Sequence, residues 1–355
     1  MSATSPLSSI ALPLVEWYQA NRRDLPWRHS PTPYQVWVSE IMLQQTRVEA
    51  VKPYYARFLA TLPTVKDLAE AQEEVLLKLW EGLGYYSRVR NMQKAAKEIC
   101  SRFGGELPAS YKDLLSLPGI GPYTAGAISA FAFGLPEVAV DGNVLRVMAR
   151  LLADDRNILD EATKKDFEAK LREVVPAEAP GDFGQGLIEL GATVCLPGRG
   201  EVHCEKCPLR EHCQAHAQGL VEILPVRFKE QKRKIQQKTV LVLVQEGQIL
   251  LQKRPPKGLL AGLWELPNLE GHLSAEEVQS YVKALGGEML KISPLPQAKH
   301  IFTHITWEMI GYRVTVSGVS LPQNGTWASP TDLSPYAIPS AFSAYRPAIE
   351  KETAL

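Results

Sequence analysis

Between Leu12 and about Gln218, apolar residues recur at spacings of three and four, as in Val36/Trp37/Ile41/Leu43/Val48 and Val75/Leu76/Leu79/Trp80. That period predicts a succession of amphipathic helices. Breakers at Pro31–Pro33, Gly82–Gly84, Gly104–Pro108, Pro118–Gly121 and Ala177–Gly181 separate the runs. Two short helices, Tyr111–Ser116 and Thr124–Phe133, are expected on either side of Leu117-Pro118-Gly119-Ile120-Gly121. A basic polar stretch, Arg227–Lys238, then carries no period of its own and reads as a linker. Beyond it the pattern turns β-rich. Thr239–Val244 and Gln248–Leu251, divided by Gln245-Glu246-Gly247, predict a hairpin. Further strands are expected near Ile301–Thr306 and Ile310–Val316, with a helix at Ala275–Leu285. The last third is therefore expected to be a separate α+β domain.

Length and composition agree with this division. The 355 residues suit two or three domains, and 45% hydrophobic with 22% charged side chains suits a globular protein with a real core. No apolar run approaches the ~18 residues of a membrane span, and no basic segment precedes the short apolar stretch at the N-terminus. A cytoplasmic protein is the expectation, in which cysteines serve as ligands or buried thiols. Lys+Arg and Asp+Glu both number 39, and residues 1–225 carry four more acidic than basic side chains. Any nucleic-acid contact must then come from local basic groups and backbone donors, not from a global positive field.

Three constellations carry chemistry. Cys195, Cys204, Cys207 and Cys213 fall within one short stretch, a set of four thiols able to hold a [4Fe–4S] cluster or a structural zinc, which spacing alone does not separate. Cys100 lies apart and reads as a buried thiol. The Leu117–Gly121 turn, with Gly119 and Gly121 opening a helix that contains Thr124, can aim backbone N–H groups at a phosphate. As an isolated string it is equally an interhelical turn. Finally, two carboxylates stand in apolar company. Glu40 shares a helix side with Val36, Trp37, Leu43 and Gln44, where desolvation keeps a proton available. Asp141 follows the apolar run Leu135–Val140 and opens Gly142-Asn143-Val144, a position that also suits a helix N-cap. An acid for the leaving group and an anion for the sugar are what glycosidic cleavage needs. A base inside a duplex must first be flipped out, and Gln44, Gln45, Tyr85 and Tyr86 offer amides and flat rings to fill the gap.

LPWR (Leu25–Arg28), SEIMLQQT (Ser39–Thr46), GLGYYSR (Gly82–Arg88), LPGIGPYTAGAI (Leu117–Ile128), VDGNVLRV (Val140–Val147) and GATVC (Gly191–Cys195) together resemble the endonuclease III superfamily of helix-hairpin-helix DNA glycosylases, in its MutY branch. The resemblance covers nearly the whole chain. It implies a multidomain protein. An all-α helix-hairpin-helix glycosylase region at 1–218 would have its core at about 28–135, and an iron–sulfur subdomain would form from the N-terminal helix and about 136–218. A linker at 219–237 and a C-terminal α+β Nudix-like domain at 238–355 would follow. By position, Glu40 is then the general acid on adenine, Asp141 the carboxylate facing the sugar, and Tyr123 and Asn143 line the reaction centre. Trp27, Arg28 and Gln185 surround the flipped adenine. Gln44, Gln45, Tyr85, Gly119, Gly121 and Thr124 contact DNA, with Gln45 and Tyr85 as wedges. The four cysteines of the cluster hold one [4Fe–4S] group. Tyr123 stands where the endonuclease III branch has a nucleophilic lysine, and a phenol forms no imine. The resemblance thus implies a monofunctional, monomeric enzyme acting on duplex DNA with A·8-oxoguanine or A·G mispairs, nucleoid-associated if bacterial.

In the C-terminal third, Thr239–Leu251, Lys253-Arg254-Pro255 and Gly258–Pro267 resemble the first half of a Nudix fold, and Phe302-Thr303-His304 takes the place of the family's 8-oxoguanine-reading loop. Residues 268–287 hold only Glu270, Glu276 and Glu277, without the glutamate cluster that binds magnesium in a working Nudix hydrolase. Two departures stand out. Leu196–His203 makes the first cysteine gap eight residues instead of the usual six, and Thr303 replaces a serine. The competing readings are a thymine- or uracil-releasing relative, a catalytically silent DNA-binding or redox-sensing scaffold, and a Nudix hydrolase with a helical appendage. LPWR, the Glu40/Asp141 pair and the missing glutamates argue against these in turn.

Overall fold

The computed structural model describes residues 7, 9–29, 31–198, 200–228, 234–302 and 304–350. Up to residue 228 the described chain forms α1 (Ala11–Asn21), α2 (Pro33–Leu43), α3 (Val48–Thr61), α4 (Val65–Glu70), α5 (Glu73–Leu79), α6 (Ser87–Phe103), α7 (Tyr111–Leu115), α8 (Pro122–Ala127), α9 (Gly142–Leu151), α10 (Glu161–Arg172), α11 (Pro180–Thr193) and α12 (Gln214–Ala217). Packing divides the chain into two units, Met1–Ala71 with Ser87–Lys229, and Gln72–Tyr86 with Glu230–Leu355. The helical period of Gln72–Tyr86 places it with the first region, yet it belongs to the second unit. There the Glu74 carboxylate accepts from Lys253 Nζ at 3.2 Å, and Glu81 accepts from the Ile338 amide at 3.1 Å.

In the first unit, α2 starts where Thr32 and Gln35 cap each other reciprocally and Pro33 takes the first turn, where no amide hydrogen is needed. It ends at Gln44, where Arg88 Nη1 donates to the carbonyls of Ile41, Met42 and Gln44 at 2.6, 3.2 and 2.6 Å. These would otherwise be orphan acceptors. Residues 34–42 of α2, apart from Gln35, point largely inward, so this helix is embedded in the unit. The helix expected at Thr124–Phe133 begins two residues earlier, with Pro122 in its first turn, and widens into a π-turn at Ile128–Ala132. One buried cluster joins Leu7, Ile10 and Leu14 to α9, to Phe167 of α10 and to Phe183, Leu187 and Leu190 of α11, with Cys195, Cys207 and Cys213 packed against it.

In the second unit, β1 (Lys234–Gln245), β2 (Gln248–Lys253), β3 (Trp264–Glu265), β4 (Asn268–Glu270), α13 (Ala275–Ala284), β5 (Glu288–Ile301), β6 (Ile305–Ser317), β7 (Gly325–Ala328) and α14 (Arg346–Glu350) follow one another. β1 begins inside the stretch that reads as linker, because it pairs with β6 from Lys234 onward. The sheet runs β3-β2-β1-β6-β5, with β4 added to β1 and β7 to β2, and its central pair β1/β6 is parallel. Strand alternation sends Val240, Val242 and Val244 to one core and Leu241 and Leu243 to the other. A strand covered on both faces reads as a continuous apolar run, as Thr239–Val244 does. The β1–β2 hairpin turns through Glu246 (φ 51°) and Gly247 (φ 74°), the pair of positive φ values that a tight primed turn requires.

The strand expected at Ile301–Thr306 is corrected. Ile301 ends β5, Ile305 starts β6, and the segment between them is their connection. β5 itself escapes the pattern because it is a sheet-edge strand with Pro294 and Pro296, whose register shifts between Leu295 and Ala298. Edge strands and bulges are where proline is tolerated.

Candidate active site

α2 carries Glu40 into the interior, where only 7% of the residue remains exposed. Burial, reinforced by the nearby Asp141 charge, lifts its carboxyl to about 7 from an ordinary 4.5. A hydrogen bond from the Tyr123 hydroxyl to Oε2 at 2.7 Å and the Arg28 charge pull the other way and lose. The result is a carboxyl that still holds its proton near neutral pH. Tyr123 enters from the first turn of α8; burial and the two carboxylates hold its phenol well above 10, so it stays a neutral donor.

Asp141 is the N-cap of α9, and its Oδ1 accepts from the amides of Asn143 and Val144, both at 2.9 Å. Asn143 Nδ2 donates to Oδ2 at 2.7 Å. Burial raises this carboxyl above 3.8, while those three hydrogen bonds and Arg146 oppose the rise. The capping reading and the catalytic reading of Asp141 are therefore compatible: the bonds of the cap also hold the carboxylate in one orientation. Asn143 is held in turn, since Arg146 Nη2 donates to its Oδ1 at 3.0 Å and to the Gly191 carbonyl at 2.7 Å. A Cβ on Gly191 would stand 2.6 Å from Asn143 Cβ, so only glycine lets α11 approach the start of α9 this closely.

Of the other expected pocket residues, Trp27 is buried edge-on against Tyr55 at 5.4 Å. Arg28 Nη2 donates to Glu189 Oε2 at 2.8 Å, and Gln185 Oε1 accepts from the Tyr18 hydroxyl at 3.0 Å. Glu189 is fully buried; it also accepts from Arg23 Nε at 2.7 Å and is held near 2 although burial alone would raise it. Sequence reading passed over Glu189 and Arg146. Their signal was present, a charged residue within an apolar helical stretch (LIELG and VLRVM), where a buried charge needs a partner.

The Leu117–Gly121 hairpin closes through Ile120 N–H to the Leu117 carbonyl at 3.2 Å. Gly119 sits at φ 77°, and a Cβ there would meet Asn91 Cβ of α6 at 2.7 Å. Gly121 caps α8, and Thr124 is buried, with Gln44 Nε2 reaching its hydroxyl at 3.5 Å. Gln45, at the end of α2, holds φ 60°, a left-handed conformation that few side chains adopt. In the second unit Tyr85 holds φ 47° and is half-exposed, whereas Tyr86 is buried.

Cys195, Cys204, Cys207 and Cys213 wall a single cavity together with Arg150 and His216. Burial and mutual repulsion push the Cys207 thiol up to about 12 and raise Cys204 and Cys213. Arg150 Nη1 lies 3.1 Å from Cys195 Sγ. Among the described residues, no three such side chains converge on one ion position. Four thiols that share one cavity are a donor set able to hold a metal group.

Phe302 opens the β5–β6 connection. Its amide donates to the Ile305 carbonyl at 2.8 Å, and its ring packs edge-on against His300 and Trp307 at 4.6 and 5.0 Å. His304 is exposed and its carbonyl accepts from the Lys234 amide at 3.1 Å. Thr303 lies outside the described residues.

Comparison with known proteins bears on what these units are. Residues 38–177 match the HhH-GPD superfamily of base excision DNA repair proteins, and residues 239–346 match the NUDIX domain. Adenine DNA glycosylase of Buchnera aphidicola subsp. Baizongia pistaciae is 33% identical over 315 residues, covering 88% of this chain and 87% of that protein. The chain belongs to the adenine DNA glycosylase family. The human adenine DNA glycosylase is also 33% identical, over 93% of this chain and 72% of its own length. Among solved structures, a thermostable thymine-DNA glycosylase superposes with a TM-score of 0.55 at 28% identity, covering 60% of this chain and 97% of that one. Endonuclease III in a non-covalent DNA complex gives 0.50 at 25%, over 60% and 98%. A helix-hairpin-helix glycosylase unit joined to a Nudix-like unit is thus the architecture of this family member. Among its described residues no helix is long and apolar enough to cross a membrane.

Proposed function

We propose that this family member is a monofunctional glycosylase that flips adenine out of duplex DNA and hydrolyses its N-glycosidic bond when the opposite base is 8-oxoguanine or guanine. The observation that carries the reading is Glu40, a buried carboxyl near pKa 7 that takes a hydrogen bond from a neutral Tyr123 beside the oriented Asp141. Glu40 donates its proton to a ring nitrogen of adenine. The C1′–N9 bond then breaks with its electron pair leaving on the base. Asp141 meets the positive charge that develops on the sugar, and water completes the product. No amine stands at position 123, so no imine forms and the strand is left intact. Trp27, Arg28 and Gln185 line the adenine pocket. The Gly119–Gly121 hairpin and Thr124 hold phosphate, and Gln44, Gln45 and Tyr85 occupy the gap in the duplex.

The four cysteines hold one [4Fe–4S] cluster, which when bound staples the Cys195–Cys213 loop against the core through its iron–thiolate bonds. The shared cavity and the crowding of half-buried thiols support this; zinc in place of about four irons per chain would overturn it. In the second unit Phe302, Thr303 and His304 read 8-oxoguanine, a reading supported by Phe302, which the Ile305 carbonyl and the Trp307 ring hold in place, and by the exposed His304.

Single-turnover kinetics on an A·8-oxoguanine duplex test the function. Adenine is released, the strand stays intact until alkali, and borohydride traps no adduct. Glu40→Gln loses about two to four orders of magnitude while still binding the mispair. Near-normal release by that variant, or release of thymine or uracil in preference to adenine, would defeat the proposal.

A further inference from the structure

Tyr18 is fully buried in α1 and packs against α11, where a Cβ on Gly186 would stand 3.2 Å from Leu14 Cγ and 3.3 Å from Tyr18 Cβ. Two different parts of its side chain are engaged. The hydroxyl donates to Gln185 Oε1 at 3.0 Å, and the Arg28 guanidinium lies 5.4 Å from the ring centroid. Arg28 is gripped elsewhere by Glu189 Oε2 at 2.8 Å and the Arg23 carbonyl at 3.0 Å, so the ring supplies a flat seat for a cation already oriented at its edges. Among the described residues, the Tyr18 hydroxyl is the one hydrogen-bond partner of the Gln185 side chain. Its Nε2 makes no hydrogen bond among the described residues, and it is neither fully buried nor exposed.

We propose that Tyr18 is a positioning residue for the adenine pocket, its hydroxyl fixing the Gln185 amide as a hydrogen-bond donor and its ring seating Arg28. The inference rests on the assignment of Arg28 and Gln185 to that pocket. An amide rotates freely between two orientations that exchange its oxygen and its NH2. With the oxygen accepting from the Tyr18 hydroxyl, the NH2 is the part of the amide left for a ligand. It then pairs with a lone pair on a purine ring nitrogen and not with the exocyclic amine, which needs an acceptor. An element that touches no substrate atom thereby sets the donor pattern that the base meets.

The test is a double-mutant cycle in the full-length protein, read as single-turnover release from an A·8-oxoguanine duplex, with circular dichroism reporting the fold. Tyr18→Phe keeps the ring and removes the hydroxyl, and its release rate is expected to fall about three- to tenfold, the worth of one net hydrogen bond. In a Gln185→Ala background the same change has no further effect, because the group through which Tyr18 acts is gone. Tyr18→Leu removes the ring as well and falls further, a difference that disappears in an Arg28→Ala background. Should Tyr18→Leu fail to fold, the phenylalanine cycle decides alone. Wild-type rates for Tyr18→Phe, or losses that multiply independently with Gln185→Ala, would overturn the positioning role while leaving the adenine reading intact. Absence of adenine release by the wild-type protein would overturn both.

Discussion

At the scale of single residues, the site is governed by what burial does to carboxyl groups. Glu40 moves from 4.5 to about 7 because its charged form loses water that Tyr123 and Arg28 do not replace. Activity that needs this proton declines as pH rises through about 7, and it declines at acid pH as Asp141 takes up a proton of its own. The same shift bears on stability. A carboxyl raised in the folded state stabilises the fold below the unfolded value of 4.5, and that contribution is lost as pH climbs through about 7. Above both values the cost is about 3 kcal/mol. Glu40→Gln keeps an oxygen for the Tyr123 hydroxyl and carries no charge. This variant should therefore match the wild type in stability near pH 4.5 and exceed it by up to that amount at pH 8. Denaturant melts at the two pH values measure the difference, and equal stability of the two proteins at pH 8 would contradict the burial argument.

At the scale of elements, the proposed catalytic geometry depends on helices that approach more closely than ordinary side chains allow. α9 projects Asp141 and Asn143 from its first turn, and α11 lies against that turn only because Gly191 has no Cβ. In Gly191→Ala the new methyl would stand 2.6 Å from Asn143 Cβ and 3.1 Å from its Cα, and the backbone contact cannot be relieved by a rotamer change. The start of α9 must shift, and with it the amide that orients Asp141. We expect a loss of about 1–3 kcal/mol in stability together with a tenfold or larger drop in base release at pH 7, about 1.4 kcal/mol in barrier. Thermal melts and single-turnover rates separate the two effects. A variant of unchanged activity would show that α9 tolerates displacement.

At the scale of the whole molecule, adenine is a normal base, so a pocket that reads adenine alone would attack correctly paired DNA. Discrimination needs a second reader, and the β5–β6 connection is the element proposed for it. Replacing Thr303 and His304 together with alanine removes a hydroxyl and an exposed imidazole while leaving Phe302 packed between His300 and Trp307. The preference for A·8-oxoguanine over A·G should fall by about 1–3 kcal/mol, the worth of one good base contact, with release from A·G itself unchanged. Competition between the two duplexes measures it, and a preference kept in full would remove the loop from the reading of 8-oxoguanine. Deleting the second unit is a poorer experiment, because Gln72–Tyr86 packs with it.

What the sequence determined by itself is whatever depends on neighbours along the chain. The helical and β-rich regions follow from apolar period, the start of α2 from the Pro31–Pro33 breaker, the cap of α9 from Asp141, and the β1–β2 turn from Gln245-Glu246-Gly247. The four cysteines and the two carboxylates are also legible as residue types at particular places. Tertiary structure decided everything that needs a distant partner. It placed the Tyr123 hydroxyl on Glu40 across 83 positions, Arg28 on Glu189 across 161 and Tyr18 on Gln185 across 167. It also made β5 a strand despite two prolines and drew Gln72–Tyr86 into the second unit. A residue's propensity is a local energy and can be read from its neighbours. Its protonation state and hydrogen-bonding role depend on which groups the fold brings within a few ångströms, and no local pattern encodes that.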